Sequence, residues 1–473
     1  ADRYSNATFN GVPIPSSDVY RNTPQLDLFP SIAVDSISIK KSMSPELGAA
    51  FSGGSVDVVT KAYPEEFTLN VSVGTKYNQI LFDEGKYLTY DDSSNDQWGF
   101  GLDARKLPEN YEDTAFWYSS RTNPSTTEVQ DFMSGMDPNF VPKHEDAEMG
   151  RSIGLEFGNL IDKKDFSLGL LFSFDFENSF STKPKIHDQK LVYLGSNSWE
   201  MDAESSLIIE EGSELAEIGS YFQSSFIPND ENEIGFILLW SHTGEKIGRS
   251  NYNNWNRGLS GEPPGWSSGT TSIPTIIQGS EISWIERDMF LPQIYGKHLT
   301  PDDIKIEWRI SKTLVSLDEP ERRIAARAWE YDSTNNVMKY LGPTSEKSGA
   351  LFYEKIPTRQ IWRKMEDESK FKRLDFSTPA YNIGETELSL NFGFSKNELD
   401  RVFDETEFIF EPLKSDEELW KNNIDSTFYA LSPEVFSLPA PNVQPNSGLD
   451  TNNFINHPTY TNALAYSSKT KAT

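Results

Sequence analysis

The residues with the most obvious catalytic spacing are Gly265, Ser267 and Gly269, which match the G-x-S-x-G pattern of a hydrolase nucleophile. That pattern works when a strand precedes the serine and a helix follows it, because the sharp turn between them exposes the hydroxyl. Here residues 262–264 (Glu-Pro-Pro) and 270–272 (Thr-Thr-Ser) flank the motif, so it lies within a loop. We therefore predict no catalytic role for Ser267 and no enzymatic activity.

Histidine and acidic residues show no metal-binding spacing. The five histidines are isolated along the chain, and there is no cysteine, whereas a zinc site needs several such ligands close together. Acidic pairs such as Asp302-Asp303 offer the oxygen ligands that Ca²⁺ prefers, but they lack the spacing and glycine of an EF-hand. Gly53-Gly54 lacks the Lys-Ser/Thr of a phosphate-binding loop. The sequence predicts no metal site and no cofactor.

Aromatic residues in long connections are better candidates for ligand binding. The stretch from Tyr252 to Arg257 places Trp255 and Arg257 close together, and Trp98 and Trp117 lie in another long connection. Such side chains combine an apolar surface with hydrogen-bond donors. We predict Trp255 and Arg257 as ligand-binding residues. The alternative is that these aromatics pack the connections together or form a girdle at a membrane interface.

Composition restricts the class of protein. The 473 residues include 43 basic and 72 acidic side chains, a net charge of −29, so nucleic acid is not expected as a partner, because its phosphates must be neutralised by clustered Lys and Arg. Only 36% of residues are hydrophobic while 13% are aromatic, which suits strands that are apolar on one face. The sequence has no run of about 18 apolar residues, so it predicts no transmembrane helix. A β-barrel is then the only structure with which the chain can span a bilayer.

A two-residue alternation recurs along the chain. From Phe166 to Glu177 the even positions are all Phe or Leu, whereas the odd positions are mostly Ser, Gly, Asp or Glu. The same pattern occurs at residues 67–74, 152–157, 304–311 and 387–394. It predicts strands with one apolar and one polar face. A soluble sheet packed on one face shows the same alternation, so the pattern alone leaves both possibilities open.

The lengths of the connections favour the barrel. Short turns are predicted at residues 159–165, 228–233, 297–303 and 378–385, and they alternate with long irregular stretches at 78–149, 181–214, 251–280, 318–359 and 410–458. Transmembrane barrels have short turns on one side of the membrane and long loops on the other. We therefore predict a mainly β fold: a partial antiparallel transmembrane β-barrel with about ten strands of a larger barrel, since plugged transporters have about 22. The Phe, Leu and Ile faces of the strands would meet lipid, and the polar faces would point at the lumen.

The N-terminal 62 residues carry a series of motifs in order. They are Asn10-Gly-Val-Pro13, Leu26-Asp-Leu-Phe-Pro-Ser31, Ile37-Ser-Ile-Lys-Lys-Ser-Met-Ser-Pro-Glu-Leu47 and Phe51-Ser-Gly-Gly-Ser-Val-Asp-Val-Val-Thr-Lys61. Together they resemble the C-terminal half of the plug domain of TonB-dependent outer-membrane receptors, in particular the Bacteroidetes-like branch. The resemblance implies a small α+β plug fragment at residues 1–62 and the first part of a barrel at residues 63–473.

The resemblance also implies a function. It predicts a receptor of the Gram-negative cell outer membrane that takes up a scarce extracellular nutrient, such as a siderophore, haem, a vitamin, a glycan or a peptide. Its partners would be this small-molecule or oligomeric ligand, the TonB–ExbB–ExbD energy-coupling complex and outer-membrane lipid. The apices of the plug correspond to Ser16, Ser17, Asp18, Tyr20 and Arg21, which we predict as ligand-binding residues. Both chain ends suggest a fragment.

Two other functions remain open from the sequence. A secreted soluble β-rich binding protein or adhesin would bury the apolar strand faces against each other and stay in solution without detergent. An extracellular hydrolase would require a concave site that brings two acids with perturbed pKa values together. Neither alternative accounts for the motifs at residues 1–62.

Overall fold

The computed structural model describes residues 5–18, 29, 33–42, 47, 53–91, 93–107, 137, 139–193, 201–255, 275–332, 337–343, 358–383 and 386–410. The fold is mainly β, as predicted, and in the described residues it is built on two main sheets and two small two-stranded ones. The smaller sheet comes from the first 60 residues. The larger is an antiparallel wall formed by residues 68–410. None of the helices in these ranges has the length and apolar content needed to cross a membrane.

The small sheet has four strands in the order β2-β1-β4-β3. They are β1 (Ser5–Phe9), β2 (Val12–Pro13), β3 (Val34–Lys40) and β4 (Gly54–Thr60). Asn10 and Gly11 join β1 to β2 with positive φ angles of 48° and 77°, which an Asn-Gly pair adopts at little cost. The Asp57 carboxylate accepts hydrogen bonds from the Thr8 hydroxyl (2.6 Å) and the Gly11 amide (2.8 Å). This turn is therefore fixed to the neighbouring strand β4.

Between the first two strands of the wall lies a long excursion. After β5 (Thr68–Lys76), it contains α1 (Gln79–Glu84), β6 (Lys86–Thr89), two short 3-10 turns at Asp96–Trp98 and Leu102–Ala104, and β7 (Lys143–Asp146). Strand β6 pairs with β7. We call residues 77–105 the collar, because they lie against several strands of the wall.

The remaining strands form antiparallel hairpins in chain order. They are β8 (Gly150–Lys163), β9 (Phe166–Tyr193), β10 (Met201–Asn229), β11 (Asn232–Trp255), β12 (Thr275–Leu299), β13 (Lys305–Asp332), β14 (Val337–Pro343), β15 (Thr358–Ser377), β16 (Tyr381–Ile383), β17 (Thr386–Leu388) and β18 (Asn391–Phe410). The wall runs β5-β8-β9-β10-β11-β12-β13-β15-β18, with β14 beside β13, which makes ten strands in the described residues. In the described residues the wall thus has one long excursion after its first strand, followed by hairpins.

The register gives the wall two distinct faces. Strand β11 pairs with β12 without a shift over residues 232–255, so successive side chains point to opposite sides. Ile237 and Leu239 are buried against the small sheet. On the other side, a Cβ atom added to Gly244 would meet the Gly99 backbone of the collar. We call the face of Ile237 the inner face and the opposite face the outer face.

The alternation predicted for residues 166–177 is confirmed. Phe166 lies on the outer face and is 39% exposed, whereas Leu171 and Ser173 lie on the inner face and are 3% and 0% exposed. A polar-to-apolar division along one strand thus corresponds to a real division between the two faces of the wall.

The predicted long irregular connections are wrong in three places. The parts of β9 to β15 that lie far from the short turns fall within residues 181–214, 251–280 and 318–359. The strands reach up to 29 residues. These parts lack the apolar alternation, because both of their faces carry polar side chains. Their pairing is supported instead by cross-strand ion pairs, described below. The stretch 410–458 lies outside the described residues, apart from Phe410 at the end of β18.

Candidate functional site

The small sheet packs on the inner face of the wall through an apolar core. Phe9 and Val58 of the small sheet share one buried cluster with Tyr221, Leu239 and Leu291 of the wall. Fully burying a side chain of this size stabilises a structure by roughly 1.5–3 kcal/mol. The core therefore holds the two sheets together, and any release of the small sheet must expose apolar surface.

Polar contacts surround this core. The Tyr221 hydroxyl lies 2.9 Å from Thr60 Oγ1 at the end of β4. The next residue, Lys61, forms an ion pair of 2.9 Å with Glu156 on β8. The C-terminal end of the small sheet is thus bound to two separate strands of the wall.

A hydrogen-bond chain continues from Tyr221 towards the short turns. The Tyr221 hydroxyl also lies 2.8 Å from Gln223 Oε1, and the Gln223 amide donates to the Tyr295 hydroxyl at 3.4 Å. Tyr295 in turn donates to Glu233 at 2.8 Å, and Glu233 pairs with Lys297 at 3.1 Å. The interface therefore contains a continuous polar line from the small sheet to the turn side of the wall.

The predicted loop at Ser16, Ser17 and Asp18 lies on the inner face, against β15 and β18. Ser16 and Ser17 are buried, and the Asp18 amide donates to Ser16 Oγ at 3.1 Å. The Arg401 guanidinium donates to the Ser16 carbonyl at 3.1 Å and to both carboxylate oxygens of Asp367 at 2.7 Å. We call Arg401 and Asp367 the latch. It fixes the loop to the wall through a buried carboxylate.

The other predicted site residues lie elsewhere. Trp255 is the last residue of β11, where the backbone but not the side chain is described. Tyr20, Arg21 and Arg257 lie outside the described residues, as do Ser267 and Trp117. The structure thus brings Ser16, Ser17 and Asp18 together at the latch, and their contact with a ligand stays a prediction.

Beyond the latch, a line of alternating charges crosses the inner face of seven strands. We call these eight residues the ion belt: Lys183, Glu211, Arg249, Glu281, Arg322, Glu319, Arg363 and Glu405. Successive pairs lie at 2.6, 2.6, 3.1, 2.7, 3.6 and 2.9 Å from Lys183 to Arg363, and Arg363 also pairs with Glu405. Four positive and four negative charges make the belt neutral.

The belt lies further from the short turns than the latch does. On β15, Arg363 precedes Asp367 by four residues, which corresponds to about 14 Å along a strand. Each of Arg249, Arg322 and Arg363 is shared between two carboxylates. A neutral polar or zwitterionic ligand finds alternating donors and acceptors here, whereas a purely anionic ligand must displace a carboxylate.

Sequence reasoning missed both the latch and the belt. Ser16 and Arg401 are 385 positions apart, and the belt draws on seven strands, so neither has a local signature. A weak signal did exist for the belt. Glu211, Arg249 and Glu281 all keep the odd numbering of the inner face of their strands.

No family model and no curated protein matches the sequence. Among solved structures, the chain is similar to the siderophore receptor PirA from Acinetobacter baumannii, with 10% identity over 86% of this chain and 70% of that chain, and a TM-score of 0.18. The outer membrane transporter YddB from Escherichia coli is 8% identical over 87% of this chain and 67% of that chain, with a TM-score of 0.19. The ferric citrate transporter FecA is 9% identical over 86% of this chain and 66% of that chain, with a TM-score of 0.20. These scores are too low to define a shared fold.

Proposed function

We propose that the chain forms part of a TonB-dependent outer-membrane receptor that binds an extracellular nutrient and transports it without covalent chemistry. The observation that carries this proposal is the exposed apolar band on the outer face of the wall. It lies opposite an inner face that is occupied by a separate small sheet. A soluble protein has no use for such a band, because large exposed apolar surfaces promote association.

The band is made of large apolar side chains at alternate positions of neighbouring strands. Those more than about a third exposed on the outer face are Leu69, Val71, Val73, Ile153, Phe157, Phe166, Phe226, Ile234, Phe290, Ile294, Ile310, Leu314, Leu390, Phe392, Phe394 and Val402. Barrels that span an outer membrane present an outward apolar band of this kind, about 25 Å tall.

The band does not stay at one level of the strand pairing but shifts from strand to strand. Strand pairing connects Val71 on β5, step by step, to Asp400 on β18. The exposed apolar cluster at the start of β18, made of Leu390, Phe392 and Phe394, is instead centred on Phe392, with Val402 apart from it, and 400 − 392 = 8 residues. The band therefore moves eight residues towards the short turns over eight steps between neighbouring strands.

This displacement has the size that tilted strands require. Eight residues correspond to about 27 Å along a strand, and eight steps to about 38 Å across the sheet. The band therefore crosses the strands at an angle that implies a tilt of about 35°, and the strands of closed barrels tilt by about 35–45°. A flat apolar layer such as a bilayer would select this diagonal pattern.

The inner face supports a role in uptake. In this proposal the small sheet is the plug, and the latch and the ion belt lie on the same face of the wall beyond it. A ligand entering from the side opposite the short turns meets the belt first and the loop at Ser16 next. The proposed partners are this ligand, the TonB–ExbB–ExbD complex that would move the small sheet, and outer-membrane lipid.

The location is tested by fractionating cells that express the full-length protein. We expect it in the outer membrane, released by detergent but not by a high-salt or carbonate wash. Recovery in the soluble or secreted fraction would contradict the proposal and support the alternative of a soluble β-rich binding protein.

The binding role is tested with a ligand panel on the detergent-purified full-length protein. Thermal stabilisation is measured with ferric siderophores, haem, cobalamin, oligosaccharides and peptides. We expect one class to raise the midpoint, and Arg363→Gln in the belt to reduce that rise. Lys370→Gln, on the outer face, is the matched control and should leave it unchanged. Equal responses in both variants would remove the belt from the binding site.

A further inference from the structure

The collar lies on the outer face of the wall, where a receptor barrel would be surrounded by lipid and water. We propose that it is a lipid-contacting element, which places Tyr77, Trp98 and Phe100 at the boundary between the apolar band and the headgroup layer. This inference rests on the proposed membrane location and adds a membrane contact outside the wall strands.

The collar is anchored to the wall by a buried charged cluster. Arg105 pairs with Asp96 at 2.6 Å, and both side chains are almost completely buried. The Arg105 guanidinium also lies 4.6 Å from the ring of Trp284 on β12, and the Arg105 carbonyl accepts a hydrogen bond from Trp362 Nε1 on β15. These contacts hold the collar rigidly against two strands.

Tyr90 provides a second anchor. Its ring has the charged groups of Arg105, Lys246 and Arg323 at 5.6, 4.9 and 5.7 Å, a favourable placement for cations. Its hydroxyl donates to the Ser283 carbonyl at 3.0 Å. Burial raises the pKa of Tyr90, so the hydroxyl keeps the proton that it donates. These contacts therefore fix the collar in place on the wall.

Several large side chains of the collar remain partly exposed. Tyr77 is 60% exposed, Ile80 54%, Trp98 45% and Phe100 43%. Tyr77 stacks on Phe82 with ring centroids 4.7 Å apart, so part of this surface is already ordered. Exposed aromatic residues on a rigid support are typical of a membrane interface, where one end of the ring is apolar and the other is wet.

The register gives the level of each ring. The band centre moves one residue per strand, which places it at Phe172 on β9, two steps from Val71 on β5. Trp98 packs on Phe176, with centroids 5.0 Å apart, and Phe176 lies 176 − 172 = 4 residues beyond that centre. Four residues on a strand tilted by about 35° correspond to about 11 Å along the membrane normal. Trp98 therefore lies close to the edge of a band about 25 Å tall.

Tyr77 and Phe100 lie slightly further out. Tyr77 follows Val71 by 77 − 71 = 6 residues. Phe100 stacks on His242 at 4.1 Å, and His242 is likewise six residues beyond Phe236, where the centre falls on β11. Both rings lie about 17 Å from the centre, within the headgroup layer of a bilayer about 40–45 Å thick. Three aromatic rings on one rigid segment thus share the level of the interface.

The test uses the absence of cysteine from the chain. Single cysteines replace Phe172, Trp98, Tyr77 or Asp103 in the full-length protein, each carries a nitroxide label, and the protein is reconstituted in phosphatidylcholine–phosphatidylglycerol vesicles. The accessibility of each label to oxygen and to a water-soluble nickel chelate is measured. We expect the deepest value at Phe172, then Trp98, then Tyr77, and full water exposure at Asp103.

Two results would overturn the inference alone. If Phe172 reports lipid while Trp98 and Tyr77 report only water, like Asp103, the wall is in the membrane and the collar is not. If both collar labels are shielded from oxygen and nickel alike, another protein surface covers them. If Phe172 itself reports water, the proposed membrane location fails, and the inference fails with it.

Discussion

At the scale of single residues, the latch is the contact that best explains how the small sheet is oriented. Asp367 is fully buried, and Arg401 supplies both its ion pair and the link to the Ser16 carbonyl. A buried carboxylate that loses its partner is costly, because it cannot regain water. The latch therefore fixes a loop that resemblance alone had selected as the site of ligand contact.

Replacing Arg401 with alanine should destabilise the protein by about 3–5 kcal/mol, since Asp367 would remain buried and unpaired. Thermal unfolding of the detergent-purified protein measures the change. Lys396→Ala is the matched control, because Lys396 is 59% exposed and pairs with nearby Glu398. Equal stability of the two variants would show that the latch does not hold the loop.

Tyr221→Phe should weaken the attachment of the small sheet by about 1 kcal/mol, because it removes the hydroxyl shared with Thr60 and Gln223. The change is read as faster hydrogen exchange in β4. Tyr77→Phe, which removes a hydroxyl from an exposed ring, is the control and should leave β4 unaffected. Unaltered exchange in both variants would rule out the polar line as a support of the interface.

At the scale of elements, the sequence predicted strands wherever one face was apolar and missed them where both faces were polar. The alternation at residues 166–177 was sufficient to predict the part of β9 next to its short turn. Its continuation to Tyr193 depends on pairing with β10 and on the pair Lys183–Glu211. Cross-strand ion pairs of this kind have no period in the sequence of either strand. The loop at Ser16 was found by its motif, but its burial depends on β15 and β18.

Arg249→Gln should lower the free energy of local opening by roughly 1 kcal/mol in the halves of β10, β11 and β12 that lie far from the short turns. The effect is small because partly exposed ion pairs contribute modestly. Hydrogen exchange of residues 207–215, 247–251 and 279–282 reports the change. The difference from wild type should shrink in high salt, which screens these charges. A difference that is independent of salt would mean that packing, not charge, holds the belt.

Gly212→Ala should displace the collar, because its Cβ atom would lie 2.2 Å from the Leu88 carbonyl oxygen. Overpacking of this kind costs about 1–3 kcal/mol. Limited proteolysis within residues 86–105 measures the release of the segment. Gly54→Ala is the control, since its nearest neighbour would be 3.9 Å away. Equal cleavage of both variants would contradict the close contact of β6 with β10.

At the scale of the whole molecule, the two faces of one wall carry the functional argument. The inner face holds the small sheet on an apolar core and, beyond that core, carries the latch and the ion belt. The outer face carries an apolar band with the collar beside it. Composition indicated the division between apolar and polar faces, but the diagonal course of the band appears only when the register of all the strands is known.

The most direct test of the account is the depth of three outer-face positions in a bilayer. Single labelled cysteines replace Val71, Phe392 and Asp400 in the reconstituted full-length protein. We predict the same depth, near the bilayer centre, for Val71 and Phe392, with Asp400 in water although it is level with Val71 in the register. Equal depths for Val71 and Asp400, or exposure of Val71 and Phe392 to water alone, would contradict a tilted transmembrane wall.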